Sequence, residues 1–172
     1  MKYPLNNYLV KYLVGLIRDG NGLNGKRLEL LSAYLLGTFD DFRIIWRKIG
    51  RGGEYDLLIA NSQPPGQPFR WMKDYFLVEC KDTTKPVDEK EFGHFLSKLN
   101  LTKTNVGIII SRRGLSGRLR RLHADGSRDT AFSQLGIVVL DITLDEINNL
   151  ENQNDFPSLL QRKYEELRFR IR

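Results

Sequence analysis

Three charged residues on neighbouring apolar segments have the types and spacing needed for metal-assisted hydrolysis. Asp56 follows a Gly-Gly turn at the start of one apolar run, and Glu79 and Lys81 lie within the next, FLVECKD, residues 76–82. Side chains two apart on a strand share a face, so Glu79 and Lys81 are expected to point together. This set suits phosphodiester hydrolysis, because carboxylates hold Mg²⁺ and a cation assists the attacking water.

Hydrophobic periodicity and turn residues predict the elements that position these groups. The loop 61–69 contains three prolines and a glycine and is expected to join two antiparallel strands. The order of elements predicts an α/β fold, with a mixed sheet covered by helices on both faces. Helices are expected at 4–18, 26–38, 87–101, 118–125, 143–150 and 156–172, and strands at 42–49, 54–60, 70–81, 105–111 and 136–142.

Two local patterns sharpen these expectations. The run NVGIIIS, 105–111, is continuously apolar and typical of a strand buried on both faces. Thr143 with Glu146 three residues later predicts a capping box at the start of the helix 143–150.

Length and composition indicate one globular domain, residues 1–172, with 41% hydrophobic and 28% charged residues. No apolar stretch reaches the length of a membrane span, so no membrane association is expected. The single cysteine, Cys80, excludes an internal disulfide, and with only two histidines a cysteine–histidine zinc site is excluded as well. These features fit a reducing cytoplasm.

The formal net charge of +6 favours a polyanionic partner. A basic cluster follows the strand 105–111, and Arg binds phosphate through its bidentate fork. A charged run is often only a solvated face, but this one begins beside the proposed site, so contacts with the DNA backbone are expected. The expected nucleic-acid-binding residues are Arg112, Arg113, Arg118, Arg121 and, on the preceding helix, His94.

With these residues in these places, the chain resembles the PD-(D/E)xK nuclease superfamily, especially Mrr-type restriction endonucleases and archaeal Holliday-junction resolvases. The resemblance covers about residues 24–142 and rests on Glu29, Asp56 and the segment Glu79-Cys80-Lys81. It implies a restriction-endonuclease-like, three-layer α/β/α domain with a central mixed sheet, and Mg²⁺ as cofactor, with Mn²⁺ able to substitute.

The resemblance also implies a role for each of the residues on which it rests. Asp56, Glu79 and the carbonyl group of Cys80 would hold the metal, with Glu29 assisting from the helix before the sheet. Lys81 would position the water and help to deprotonate it. The chain departs from the superfamily where Tyr55 replaces its proline, and where His94 stands at the place of a glutamine in Mrr-type proteins.

These residues also have purely structural interpretations. Glu79 and Lys81 could form an ion pair on an edge strand, and Glu29 could stabilise a helix N-terminus or pair with Lys26. The Cys80 side chain is expected to be a small buried filler. Trp71 could be a core residue or an exposed contact residue.

The expected function is a Mg²⁺-dependent endonuclease that cleaves DNA in defence, restriction or DNA processing. A homodimer is expected because two sites related by a twofold axis can cut two strands, and a sensor domain or partner subunit could lie outside this chain. Two alternatives remain open at this point: a non-catalytic nucleic-acid-binding domain on the same fold, and a nuclease that cleaves RNA.

Overall fold

The computed structural model describes residues 4–20, 25–50, 53–117 and 124–170. Within these residues the chain forms an α/β structure in the order of elements that the sequence predicts. The helices are α1 (Asn7–Asp19), α2 (Lys26–Gly37), α3 (Glu89–Thr102), α4 (Ala124–Leu135), α5 (Leu144–Asn148) and α6 (Asp155–Phe169). The strands are β1 (Phe42–Gly50), β2 (Gly53–Asn61), β3 (Tyr75–Lys81), β4 (Val106–Ser111) and β5 (Val138–Thr143).

The described strands form one mixed sheet in the order β1-β2-β3-β4-β5. Strand β2 is antiparallel to both of its neighbours, β1 and β3, as the loop 61–69 predicts for β2 and β3. Strands β4 and β5 run parallel to β3. Parallel neighbours need a crossover, and α3 and α4 supply the two crossovers.

Helices cover both faces of this sheet. On one face α1, α2, α5 and α6 pack against an apolar cluster that includes Val78, Ile108 and Leu140. On the other face α3 and α4 pack against a second cluster that includes Leu77 and Ile109. Every residue of β4 and of β5 is buried, which confirms the prediction of a strand buried on both faces.

A close approach between α3 and β4 fixes the position of α3 over the sheet. A Cβ atom at Gly107 would lie 2.6 Å from the ring of Phe95 and 2.9 Å from a methyl group of Leu99. Only glycine leaves room for these side chains at that point. The helix α3 therefore packs closely on β4 at Gly107.

The helix starts follow ordinary capping chemistry. Asn6 caps α1, with its side chain accepting a hydrogen bond from the backbone N–H of Leu9. Asp88 and Glu91 form a capping box on α3, and Thr143 with Glu146 forms the predicted one on α5. No helix in the described part of the chain is long and apolar enough to span a bilayer.

Two predicted elements differ from the structure. The predicted strand 70–81 is wrong in its first part, because Arg70–Met72 form a 3₁₀ helix and Lys73 has a left-handed backbone, φ 61°. Residues 118–123 of the predicted helix 118–125 lie outside the described residues. Helix α4 spans Ala124–Leu135 and so ends well beyond the predicted end. Polar residues interrupt the apolar stripe of α4, so its periodicity is weak.

The sequence does not decide whether Trp71 is a core residue or an exposed contact residue. In the structure its side chain packs against another part of the chain. Its ring stacks on that of Tyr164 in α6, with centroids 3.9 Å apart and planes at 7°. This packing joins the loop between β2 and β3 to the C-terminal helix, so the indole is half-buried in the protein.

Candidate active site

Asp56 lies where strands β2 and β3 stop pairing. The ladder between them runs from Ala60–Tyr75 to Leu57–Val78. At the next position the Asp56 carboxylate accepts a hydrogen bond from the backbone N–H of Cys80, at 2.7 Å from Oδ2. A side chain therefore substitutes for a ladder contact, and the carboxylate is fixed at the point where the two strands separate.

Glu79 is held by two lysines, one on each carboxylate oxygen. Oε1 lies 3.1 Å from Lys81 Nζ, and Oε2 lies 2.8 Å from Lys98 Nζ. Glu79 and Lys81 project from the same face of β3, as their spacing predicts. Glu79 is only 8% exposed, so this is a largely desolvated ion pair rather than a surface pair.

Glu29 reaches the same region from α2. It is 5% exposed and accepts a hydrogen bond from the indole Nε1 of Trp46, 3.3 Å from Oε2. Its charge acts on Asp56, which places the two carboxylates in one electrostatic neighbourhood. The Asp56 carboxylate thus feels the charge of Glu79 from β3 and that of Glu29 from α2.

The environment of Asp56 disfavours its negative charge. Burial raises its pKa to about 6, the hydrogen bond from the Cys80 N–H opposes this rise, and the nearby carboxylates of Glu79 and Glu29 add to it. Lys98 lowers the pKa by a smaller amount. A carboxylate in such a position gains from any cation that enters the site.

Lys81 is held in its charged form. Burial alone lowers its pKa, but the Glu79 carboxylate, by its charge and its hydrogen bond, brings the net pKa above the ordinary value of 10.5. A protonated ammonium group cannot accept a proton. In this form Lys81 can orient a water molecule and stabilise negative charge.

Cys80 presents its thiol to the opposite side of β3. The sulfur lies 3.3 Å from Ser32 Oγ of α2, inside the apolar cluster. Burial raises the pKa of the thiol well above its usual value. A neutral, buried thiol is neither a nucleophile nor a metal ligand, which agrees with the expected role of a small buried filler.

The carboxylates are close together but are not arranged as a ready-made metal centre. Among the residues that the structure describes, no group of three or more His, Cys, Asp or Glu side chains is placed to hold a metal ion. Lysines contact both oxygens of Glu79, and a backbone N–H contacts one oxygen of Asp56. The donor chemistry still fits Mg²⁺, which takes oxygen ligands and is usually bound through one or two carboxylates.

No match was found when the chain was compared with known protein families, with curated proteins and with solved structures. The function must therefore be argued from the geometry of the site.

The basic residues after β4 fall into two groups. Arg112 is turned inward: its guanidinium donates to the Asp82 carboxylate and to the carbonyl oxygens of Ile17 and Gly20 at the C-terminal end of α1. Arg113 and His94 are exposed and able to meet a ligand. Arg118 and Arg121 lie outside the described residues.

The inward contacts of Arg112 give it a structural role. We expect Arg112→Ala to lower the free energy of unfolding by about 2–4 kcal/mol, because it strands the buried Asp82 carboxylate and uncaps α1. Arg113→Ala is the matched control, because Arg113 is the next residue in the chain and its side chain is exposed. This substitution should change the free energy of unfolding by less than about 0.5 kcal/mol. Urea denaturation followed by circular dichroism measures both values, and equal values would rule out the capping role.

Two residues of the site were missed in the sequence. Lys98 is a lysine on α3, three residues after the buried Phe95, and so borders the apolar face that packs on the sheet. Trp46 lies on β1 and donates to Glu29. A charged residue at the edge of an apolar stripe is a recognisable signal, but it identifies no partner.

Proposed function

We propose that the chain is a divalent-metal-dependent nuclease that hydrolyses phosphodiester bonds in DNA. The observation that carries this proposal is the convergence of Asp56, Glu79 and Lys81 where β2 and β3 separate, with Glu29 behind them. Buried charges of both signs are costly to assemble, and packing alone does not require them. The resemblance to PD-(D/E)xK nucleases and the basic character of the chain point to the same chemistry.

In this proposal each residue has one task. Asp56 and Glu79 would hold Mg²⁺, and Glu29 would support them through the shared electrostatic field. When bound, Mg²⁺ would lower the pKa of the attacking water and neutralise charge on the phosphate. Lys81, kept protonated beside Glu79, would orient that water and stabilise the negative charge that develops in the transition state.

The basic surface would bind the rest of the DNA. Arg113 and His94 are exposed, and each Lys or Arg set against a phosphate releases counterions. Arg112 would support this surface indirectly, by tying the loop after β4 to α1. A homodimer and a cytoplasmic role in defence or DNA processing belong to the same proposal.

Cleavage of a supercoiled plasmid tests the proposal. We expect the wild-type protein to nick or linearise the plasmid in Mg²⁺ or Mn²⁺ and not in EDTA. Glu79→Gln should reduce the rate at least about 100-fold. Glu54→Gln is the matched control, because Glu54 is an exposed acid two residues before Asp56 and should leave the rate unchanged.

The same assay separates the alternatives. Cleavage of single-stranded RNA without cleavage of DNA would move the proposal to a ribonuclease. Binding of both nucleic acids without any cleavage in either metal would favour the non-catalytic domain. Cleavage that persists unchanged in Glu79→Gln would exclude this site as its source.

A further inference from the structure

Lys98 reaches the site from α3. Its side chain crosses from the helix to β3, where Nζ lies 2.8 Å from Glu79 Oε2, and it remains 17% exposed. It also faces Asp56 closely enough to affect that carboxylate. It is thus next to both acids that the proposed function assigns to the metal, and it retains access to solvent.

The partner of Lys98 is shared. Glu79 is a single carboxylate that faces two ammonium groups, those of Lys81 and Lys98, and its two oxygens are divided between them. If a divalent cation binds Glu79, the two lysines lose much of their common counter-ion. A largely buried ammonium group without a partner is costly, so a second anion near the site would be favoured at that moment.

We propose that Lys98 is a phosphate-binding residue of the site, which contacts Glu79 in the resting protein and the substrate phosphate when Glu79 binds a cation. This inference rests on the proposed function for the identity of the substrate. A phosphodiester oxygen is the ligand that fits, because it carries one negative charge and accepts hydrogen bonds from an ammonium group. Exchange of partners by one side chain makes cation and DNA binding mutually dependent.

The seating of α3 supports a role at this place. Gly107 allows Phe95 and Leu99 to approach β4 closely, and Lys98 lies between those two positions on the helix. Lys98 is therefore held on a rigid element rather than on a loop, while its long side chain remains able to change partners. His94 lies one turn earlier on α3 and is exposed, so the same helix face leads from solvent to Lys98.

The test measures binding rather than turnover. Affinity for a short fluorescent DNA duplex is determined by anisotropy, with and without Ca²⁺ and over a range of salt, for wild type, Lys98→Met and Lys90→Met. Lys90 is an exposed lysine on the same helix and controls for the lost charge. Ca²⁺ is used as an oxygen-ligated cation in place of Mg²⁺.

For Lys98→Met we expect duplex affinity in Ca²⁺ to fall roughly tenfold, and the slope of log K against log salt to decrease by about one. The factor by which Ca²⁺ tightens duplex binding should also fall, whereas Lys90→Met should keep both that factor and the duplex affinity of the wild type. The proposal would be overturned if Lys98→Met had the same duplex affinity, salt slope and calcium dependence as Lys90→Met. A loss of stability in urea with unchanged binding by the folded protein would also overturn it, since Lys98 would then be structural.

Plasmid cleavage by the wild type keeps this proposal separate from the proposed function. In one outcome, Lys98→Met has a lower slope of log K against log salt and a weaker calcium dependence, but the wild type cleaves no nucleic acid. This result would support the phosphate contact of Lys98 and exclude the proposed nuclease activity. In the other outcome, the wild type cleaves but Lys98→Met binds the duplex like Lys90→Met. This result would support the nuclease activity and exclude the phosphate contact of Lys98.

Discussion

Replacing Asp56 with asparagine is expected to abolish cleavage and, at neutral pH, to make the fold more stable. Burial and the carboxylates of Glu79 and Glu29 raise the pKa of Asp56 to about 6, so its ionised form is held at a cost. Asparagine removes that charge, and its side-chain oxygen can still accept the hydrogen bond from the Cys80 N–H. The proposed chemistry therefore needs the ionised Asp56 carboxylate, although its charge lowers the stability of the fold.

The expected gain depends on pH in a defined direction. A carboxyl group whose folded pKa is raised binds its proton more tightly in the folded state, so stability falls as pH rises from the ordinary value of 3.8 to about 6. Below that window Asp56 is protonated in both states, and wild type and variant should be equally stable. Above it the variant should be more stable by about 1–2 kcal/mol, after allowance for partial solvent screening.

Thermal unfolding at about pH 3 and about pH 8 measures this difference. At the higher pH we expect Asp56→Asn to melt about 3–6 °C above the wild type. Mg²⁺ should raise the melting temperature of the wild type more than that of the variant, because a ligand that binds only the folded state stabilises it. Glu54→Gln should show neither effect. A variant less stable than the wild type at the higher pH would contradict the assigned electrostatics.

The sequence predicts the framework of this site because the relevant signals are local. Alternation along a strand places Glu79 and Lys81 on one face, and the structure brings their charged atoms to 3.1 Å. The proline-rich loop correctly predicts that β2 and β3 are antiparallel. The continuous apolar run 105–111 correctly predicts the buried strand β4, and the Thr143 capping box is found as expected.

The contacts that the sequence does not predict are long-range. Lys98 of α3 meets Glu79 of β3, 19 residues earlier in the chain, and the glycine at 107 lets α3 pack closely on β4. Arg112 was expected to contact DNA, but its guanidinium lies against the end of α1, a helix far away in the chain. A lysine or arginine carries the same local signal whether its partner is a phosphate, a carboxylate or a helix end, and only the packing of distant elements selects one.

Lys81→Met is expected to separate chemistry from cation binding. Lys81 lies 3.1 Å from Glu79 Oε1 and competes with any cation for that oxygen. Removal of the ammonium group should leave the affinity for Mn²⁺ or Ca²⁺ unchanged or tighter. Cleavage should fall by about 10²–10³-fold, because orientation of the water and stabilisation of the transition-state charge are lost.

Asp56→Asn supplies the contrast, because it removes a ligand charge and should weaken cation binding and cleavage together. Lys85→Met is the control for Lys81→Met: Lys85 is exposed four residues later, and its loss should alter neither quantity. Isothermal titration with Mn²⁺ or Ca²⁺, together with plasmid cleavage by the same preparations, gives both measurements. If Lys81→Met lost as much cation affinity as Asp56→Asn, the lysine would be needed to hold Glu79 in place rather than to act on the water. The two buried ion pairs of Glu79 would then be a support for the site, and the source of its chemistry would have to be sought among the acids alone.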